Sequence, residues 1–121
     1  MGVKSVKVVN VNDVEAVIPL MCDVSGFKVK RLITQRGEGS DKLTLGLCFI
    51  EPNAKGYRWS FKERDEVYYM LKGNVRLRWG TSSAVLKEGD AVYLPAGYEY
   101  ELENLTDDEA IIVYVITPPI E

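Results

Sequence analysis

The fold of this 121-residue chain is decided by the stretch Gly89-Asp90-Ala91-Val92-Tyr93-Leu94-Pro95-Ala96-Gly97-Tyr98-Glu99-Tyr100-Glu101-Leu102-Glu103-Asn104. Its last seven residues alternate, with glutamates on one side and Tyr98, Tyr100 and Leu102 on the other. Alternation of this kind is typical of a β-strand that has one face in water. The glycines of the stretch supply the positive φ that tight hairpin turns require, and Pro95 suits the end of a strand. The stretch therefore predicts two short strands joined by a turn, with Tyr100 pointing inward.

The rest of the chain repeats this pattern of short strands and tight turns. Turn residues recur about every 8 to 12 residues, which is typical of an all-β sandwich or barrel, and helix-period patterns are scarce. The predicted strands are 6–11, 28–35, 43–51, 57–61, 67–71, 75–79, 84–87, 91–94, 98–104 and 110–117. One helical turn is expected around residues 13–16. The length fits a single domain over residues 1–121.

Composition excludes several functional classes. The formal charge is −3, from 15 basic and 18 acidic residues, which argues against a nucleic-acid partner. There is no histidine, the commonest transition-metal ligand and the commonest general base near neutral pH. Nucleophilic sites that depend on a Ser-His or Cys-His pair are therefore excluded.

The cysteines and the apolar runs bear on the compartment. Cys22 and Cys48 show no C-x-x-C spacing, so they are expected to be free thiols and not part of a zinc or dithiol redox site. No signal-peptide run is present, and no apolar stretch approaches the ~18 residues of a membrane span. We therefore expect a cytoplasmic protein with no membrane partner.

Two motifs resemble those of the cupins, small double-sheet jelly-roll barrels. The second cupin motif, G-x5-P-x-G-x2-H-x3-N, matches residues 89–104 at every fixed position except the histidine, which is Tyr100 here. The first motif ends E-x6-G and matches Glu66 to Gly73, within a region of about residues 52–73. The resemblance implies an all-β double-stranded β-helix, the cupin jelly roll.

The departure from the cupin pattern concerns the metal site. Cupin metal sites use two histidines and a glutamate from the first motif and one histidine from the second, and here only Glu66 remains. The two missing histidines would fall on Ser60 and Lys62 in one frame, or on Trp59 and Phe61 in the other. Because a transition metal needs three or four converging N, O or S donors, we expect no metal and no other cofactor.

A narrower resemblance covers Gly56 to Glu66 and Gly73 to Leu77, which look like a cupin branch related to ethanolamine-utilisation cupins. Members of that branch often lack the metal histidines. If the cupin frame holds, Glu66 and Tyr100 lie at the mouth of the barrel as candidate catalytic residues. The candidate ligand-binding residues are Tyr57, Trp59, Phe61, Tyr68 and Met70 inside the mouth, with Arg58 and Lys62 at its rim.

Three functions remain open. The leading hypothesis is a cupin that binds a small organic ligand, a carbohydrate or a carboxylate, without a transition metal. The alternative is a metal-independent isomerase, lyase or hydrolase, in which Glu66 has a pKa raised by burial and serves as acid or base with Tyr100 as hydroxyl donor. The third is an atypical metal-dependent cupin enzyme.

Two predicted strands are apolar on both faces, namely 67–71 and 110–117. A strand of this kind is covered twice, by a second sheet or by another subunit. We therefore expect a homodimer.

Overall fold

A computed structural model describes residues 4–121, and within them the chain forms nine β-strands and two short helical turns. The strands are β1 Phe27–Ile33, β2 Thr44–Ile50, β3 Lys55–Ser60, β4 Asp65–Lys72, β5 Val75–Trp79, β6 Ser82–Leu86, β7 Ala91–Leu94, β8 Glu99–Asn104 and β9 Ala110–Thr117. The helical turns are a 3₁₀ turn, Val11–Asp13, and a one-turn α-helix, α1, Gln35–Glu38.

The strands form two antiparallel sheets that face each other. One sheet has the order β1-β2-β9-β4-β7 and the other the order β3-β8-β5-β6. Between them lies a core of fully buried side chains: Phe27, Ile50, Met70, Leu77, Leu94, Leu102 and Ile112. The predicted all-β jelly roll is confirmed.

Asn104, the last residue of the stretch 89–104, links the end of β8 to the neighbouring backbone by hydrogen bonds. Its side-chain amide is buried and donates to the carbonyl oxygens of Ile50, Glu51 and Asp108. Its Oδ1 accepts from the backbone N–H of Thr106. A buried amide must satisfy its donors, and here it does so by linking β8 to the end of β2.

Three local predictions are wrong, and one of them is the helical turn expected around residues 13–16, which the structure places at Val11–Asp13. The predicted strand at residues 6–11 does not form: residues 4–10 have no regular structure, and Val11 begins the 3₁₀ turn. Gln35, predicted to end the strand 28–35, instead begins α1, which occupies part of the interval before the next predicted strand. This helix forms because Thr34 Oγ1 accepts from the Gly37 N–H while Glu38 accepts from the Thr34 N–H. None of the helices described is long and apolar enough to cross a bilayer.

The outer face of the five-stranded sheet is largely apolar, with Lys28 and Lys30 at its β1 edge. Val67, Tyr69 and Leu71 of β4 are 43%, 45% and 51% exposed, and the alternate residues of β9 are half-buried. The inner residues of both strands are buried in the core. Only one face of these strands is therefore covered within the described chain.

Candidate functional site

A small cavity lies at the end of the barrel where β4 begins and β9 ends. Its free volume is about 40 Å³, which is room for about three water molecules. Side chains from both sheets, a turn before β1 and the C-terminal segment line it: Pro19, Leu20, Met21, Val29, Arg31, Cys48, Tyr57, Trp59, Phe61, Glu66, Tyr68, Tyr114, Ile116 and Ile120. The wall is mostly apolar, as in small-molecule sites generally.

Glu66 is the buried acid of this cavity. It is the second residue of β4, where it pairs with Ile116 of β9 and Leu94 of β7, and it is only 5% exposed. Its Oε1 accepts a hydrogen bond of 2.8 Å from Trp59 Nε1. Burial raises the pKa of Glu66 from 4.5 to about 7, and the Trp59 hydrogen bond opposes this because it favours the charged form.

Aromatic rings surround this carboxyl group. The Tyr57 and Trp59 rings stack, with centroids 4.9 Å apart and planes 27° apart. The Tyr68 ring lies 6.0 Å from that of Trp59 and comes from the opposite sheet. Burial raises the pKa of Tyr57 and Tyr68, so both hydroxyls are neutral near pH 7.

Most of the predicted site residues are brought together. Glu66, Tyr57, Trp59, Phe61 and Tyr68 all line the cavity. The inward direction of Tyr57, Trp59 and Phe61 follows from their period-two spacing on and just after β3.

The structure separates the other four predicted residues from the cavity. Tyr100 packs its ring 5.5 Å from that of Trp59, but it does not line the cavity, and its hydroxyl donates to the Pro95 carbonyl. Met70 is wholly buried in the core. Arg58 and Lys62 are exposed, and Arg58 pairs with Glu101 on the outer surface.

Tyr100 lines a second, larger groove of about 210 Å³. This groove lies between β7, at the edge of the five-stranded sheet, and β5 and β8 of the other sheet, and its aromatic lining residues are Trp79, Tyr93, Tyr98 and Tyr100. Burial raises the pKa of Tyr100 to about 12. Its hydroxyl is therefore a neutral hydrogen-bond donor at physiological pH.

Sequence reasoning missed Arg31 and Tyr114. Arg31 pairs with Gly46 of β2, Gly46 with Tyr114 of β9, and Tyr114 with Tyr68 of β4, so the four form one row across the sheet. A Cβ on Gly46 would lie 2.5 Å from the Tyr114 ring, so the glycine makes room for that ring. Two features of the sequence could have indicated this row. Arg31 is two residues from Val29 and therefore shares its face of the strand, and Gly46 is a glycine within an apolar strand.

The residues present do not fit a transition-metal ion. Of the two pairs of positions at which the missing histidines would fall, Trp59 and Phe61 point inward. Their rings offer no metal-binding lone pair, and the Trp59 N–H is directed at the Glu66 carboxyl. Cys48 also lines the cavity, but burial raises its pKa to about 12, which disfavours the thiolate that binds metals. The described residues contain no group of three or more His, Cys, Asp or Glu side chains placed to hold a metal.

Solved structures with this fold belong to proteins of varied function. KdgF from Halomonas sp. has a TM-score of 0.80 at 14% identity, covering 97% of both chains. The polyketide cyclase RemF from Streptomyces resistomycificus has a TM-score of 0.81 at 21% identity, covering 93% of this chain and 80% of RemF. A candidate ethanolamine utilization protein Q from Salmonella typhimurium has a TM-score of 0.78 at 24% identity, covering 94% of this chain and 87% of that protein. The resemblance to ethanolamine-utilisation cupins is thus confirmed for the fold.

Sequence comparison assigns the family. An uncharacterized protein of Streptomyces coelicolor is 30% identical over 56 residues, which are 46% of this chain and 52% of that protein. The chain thus spans about half the length of this relative. The family model described as "Cupin domain" matches residues 46–116, more than half of the chain and both quoted motifs from Glu66 onward. The chain therefore belongs to the cupin family.

Proposed function

We propose that the protein binds a small organic molecule in the Glu66 cavity without the help of a transition metal. The observation that carries the proposal is the Glu66 carboxyl group, which is buried among aromatic rings and held by the Trp59 N–H. Burial of an ionisable group is costly, and groups with a perturbed pKa are concentrated at functional sites.

The carboxyl group offers a ligand one free oxygen. Oε1 is occupied by Trp59, whereas Oε2 accepts no hydrogen bond from the described residues. With a pKa of about 7, Glu66 is partly protonated at neutral pH, so it presents either an acceptor or an O–H donor. The stacked Tyr57 and Trp59 rings offer a flat apolar surface beside it.

The size of the cavity limits its ligand. About 40 Å³ holds only a few non-hydrogen atoms. A larger ligand requires the lining to move, and the most exposed apolar residues of the lining are Leu20 and Met21. Leu20 and Met21 are more than half exposed, and Met21 has a φ of 65°, a strained conformation for a residue with a side chain.

The second candidate function is metal-independent proton transfer by Glu66. A carboxyl group with a pKa near 7 is poised for acid or base catalysis at neutral pH. The Tyr100 hydroxyl, directed at Pro95, does not take part in the geometry described. This alternative therefore depends on Glu66 alone, with Tyr100 acting through its ring contact with Trp59.

A metabolite screen tests the proposal. Thermal shift is measured on the wild type, on Glu66→Gln and on Glu109→Gln, which makes the same chemical change at an exposed position outside the cavity. We expect at least one small compound to stabilise the wild type and Glu109→Gln but not Glu66→Gln. Recovery of that compound unchanged supports binding, and its conversion supports the enzymatic alternative.

Two results contradict the proposal. One is that every stabilising compound acts equally on Glu66→Gln. The other is elemental analysis that finds one equivalent of Ni, Fe, Mn or Zn in the wild type and none in Glu66→Gln. The latter result favours the atypical metalloenzyme.

A further inference from the structure

Arg31 brings a positive charge to the Glu66 cavity. It is the only basic side chain among the described residues that line the cavity. It lies beside Tyr114, in the same row of the sheet, with Gly46 between them. Its side chain is 14% exposed, and its Nε is buried.

The buried Nε of Arg31 is poorly satisfied. Arg31 Nε lies 3.2 Å from Glu121 Oε2, yet its N–H points too far from that oxygen to form a hydrogen bond, and it finds no other partner. A guanidinium has five N–H donors in a planar fork that matches a carboxylate with two parallel bonds. Because an unmet buried donor costs free energy, a better-placed anion at this position is stabilising.

We infer that the cavity selects small organic monocarboxylates, whose carboxylate group pairs with Arg31 in place of Glu121. This inference rests on the proposed ligand-binding function. The apolar body of such a ligand would lie against Val29, Ile116 and the aromatic rings, which have no charge to satisfy.

Size and charge favour a monocarboxylate over phosphate. Phosphate carries up to two negative charges near pH 7 and would place them in the same small cavity as Glu66. A monocarboxylate carries one negative charge, and Glu66 adds no further charge when it is protonated. The free volume of about 40 Å³ suits a ligand of a few non-hydrogen atoms.

The test uses propionate, its neutral isostere propionamide, and inorganic phosphate as probes at millimolar concentrations. Binding is followed by NMR through the Trp59 indole N–H resonance, which reports on the cavity itself because Trp59 donates to Glu66. The proteins are the wild type, Arg31→Gln, Arg31→Lys and Glu121→Gln. The matched control is Arg78→Gln, a half-exposed arginine outside the cavity.

We expect propionate to bind the wild type at least about tenfold more tightly than propionamide, as a charge-assisted pair predicts. Arg31→Gln should lose about tenfold in propionate affinity and Arg31→Lys should lose part of it, because lysine keeps the charge but not the fork. Arg78→Gln should match the wild type. Glu121→Gln should bind propionate about two- to fivefold more tightly, since it removes a competing partner, and misfolding cannot produce such a gain.

Several results overturn the inference. Propionamide or phosphate binding as tightly as propionate, no response to propionate, or unchanged propionate affinity in Arg31→Gln each contradict it. Neutral compounds that bind at Trp59 and depend on Glu66 would leave the proposed function standing while removing the carboxylate preference. If no compound of any class affects Trp59, the proposed function fails as well.

Discussion

Trp59 Nε1 donates a hydrogen bond of 2.8 Å to Glu66 Oε1, and the two residues come from β3 and β4, strands of opposite sheets. The bond spans the interior of the barrel and fixes the carboxyl group against the rings. It also opposes the desolvation that raises the pKa of Glu66. The pKa of Glu66 therefore depends on a contact between the two sheets of the barrel.

Substitution of Trp59 by phenylalanine should raise the pKa of Glu66 further. Phenylalanine keeps an aromatic ring but loses the N–H that favours the charged carboxylate, so the pKa should move above its value of about 7. The measurement is the pH titration of the Glu66 side-chain carboxyl carbon by NMR. Trp79→Phe, which removes an indole outside the cavity, should leave the titration unchanged. An unaltered or lowered pKa in Trp59→Phe contradicts this reading.

The raised pKa of Glu66 should make the protein less stable as the pH rises. In the unfolded chain the group loses its proton near its ordinary pKa of 4.5, whereas the folded protein holds that proton up to about pH 7. Between these values the folded state binds more protons, so the free energy of unfolding falls with increasing pH, by about 3 kcal/mol in all. Above pH 7 the full loss is present.

Urea unfolding at pH 5 and pH 8 measures this dependence. Glu66→Gln cannot ionise, so its free energy of unfolding should lack the fall with pH that Glu66 causes. The variant should therefore be more stable than the wild type at pH 8. Glu109→Gln, changed at an exposed position, should retain the wild-type dependence. Equal pH dependence in Glu66→Gln and the wild type would show that Glu66 does not titrate as described.

The thiol of Cys48 should be inert in the folded protein. It is buried, and its pKa of about 12 leaves almost no thiolate at pH 8. A Cys22→Ser variant, which leaves Cys48 as its single thiol, should react with a thiol reagent only after unfolding in urea. Cys48→Ser serves for comparison, because Cys22 is partly exposed. Rapid labelling of folded Cys22→Ser contradicts this prediction.

We propose that a second copy of the chain covers the apolar outer face of the five-stranded sheet. In one row across this face, Leu45 pairs with Val115, Val115 with Val67, and Val67 with Tyr93. With β1, whose outward residues include Lys28 and Lys30, five strands and three rows of residues span roughly 500 Å². Two copies that pack this face together would bury about 1,000 Å², the lower bound for a specific interface, and a twofold axis lets the same patch serve both.

Light scattering at micromolar concentration tests the dimer. The wild type should have twice the mass of one chain, and Tyr69→Lys, which places a charge on the exposed outer face of β4, should be monomeric. Tyr98→Lys is the matched control, because Tyr98 has the same 45% exposure but lies in the second groove. A monomeric wild type contradicts the proposal.

The sequence predicted those features that depend on neighbouring residues. The alternation through β8 and β3 identified strands and inward faces, because period two sets the direction of each side chain. The expected strand at residues 6–11 was wrong, since its apolar residues have no neighbouring strand to pair with in the described chain. Pairing of strands depends on distant segments, which local alternation does not contain.

The residues that line the cavity were expected only where two of them share a strand or a motif. Glu66 and Trp59 were expected together and both line the cavity. Arg31 was not expected, because its approach to Tyr114 depends on the register of three strands and on Gly46 between them. The inward direction of Tyr100 was correct, whereas the direction of its hydroxyl depends on the Pro95 carbonyl across a turn. Composition and spacing carry no information on either contact.

A crystal structure of the protein with a stabilising compound would locate the ligand. We expect the compound in the cavity between Trp59 and Tyr68, with a polar atom within hydrogen-bonding distance of Glu66 and no metal ion between them. A compound seated instead between Trp79 and Tyr98, or a metal ion held by Glu66, would contradict the proposed function.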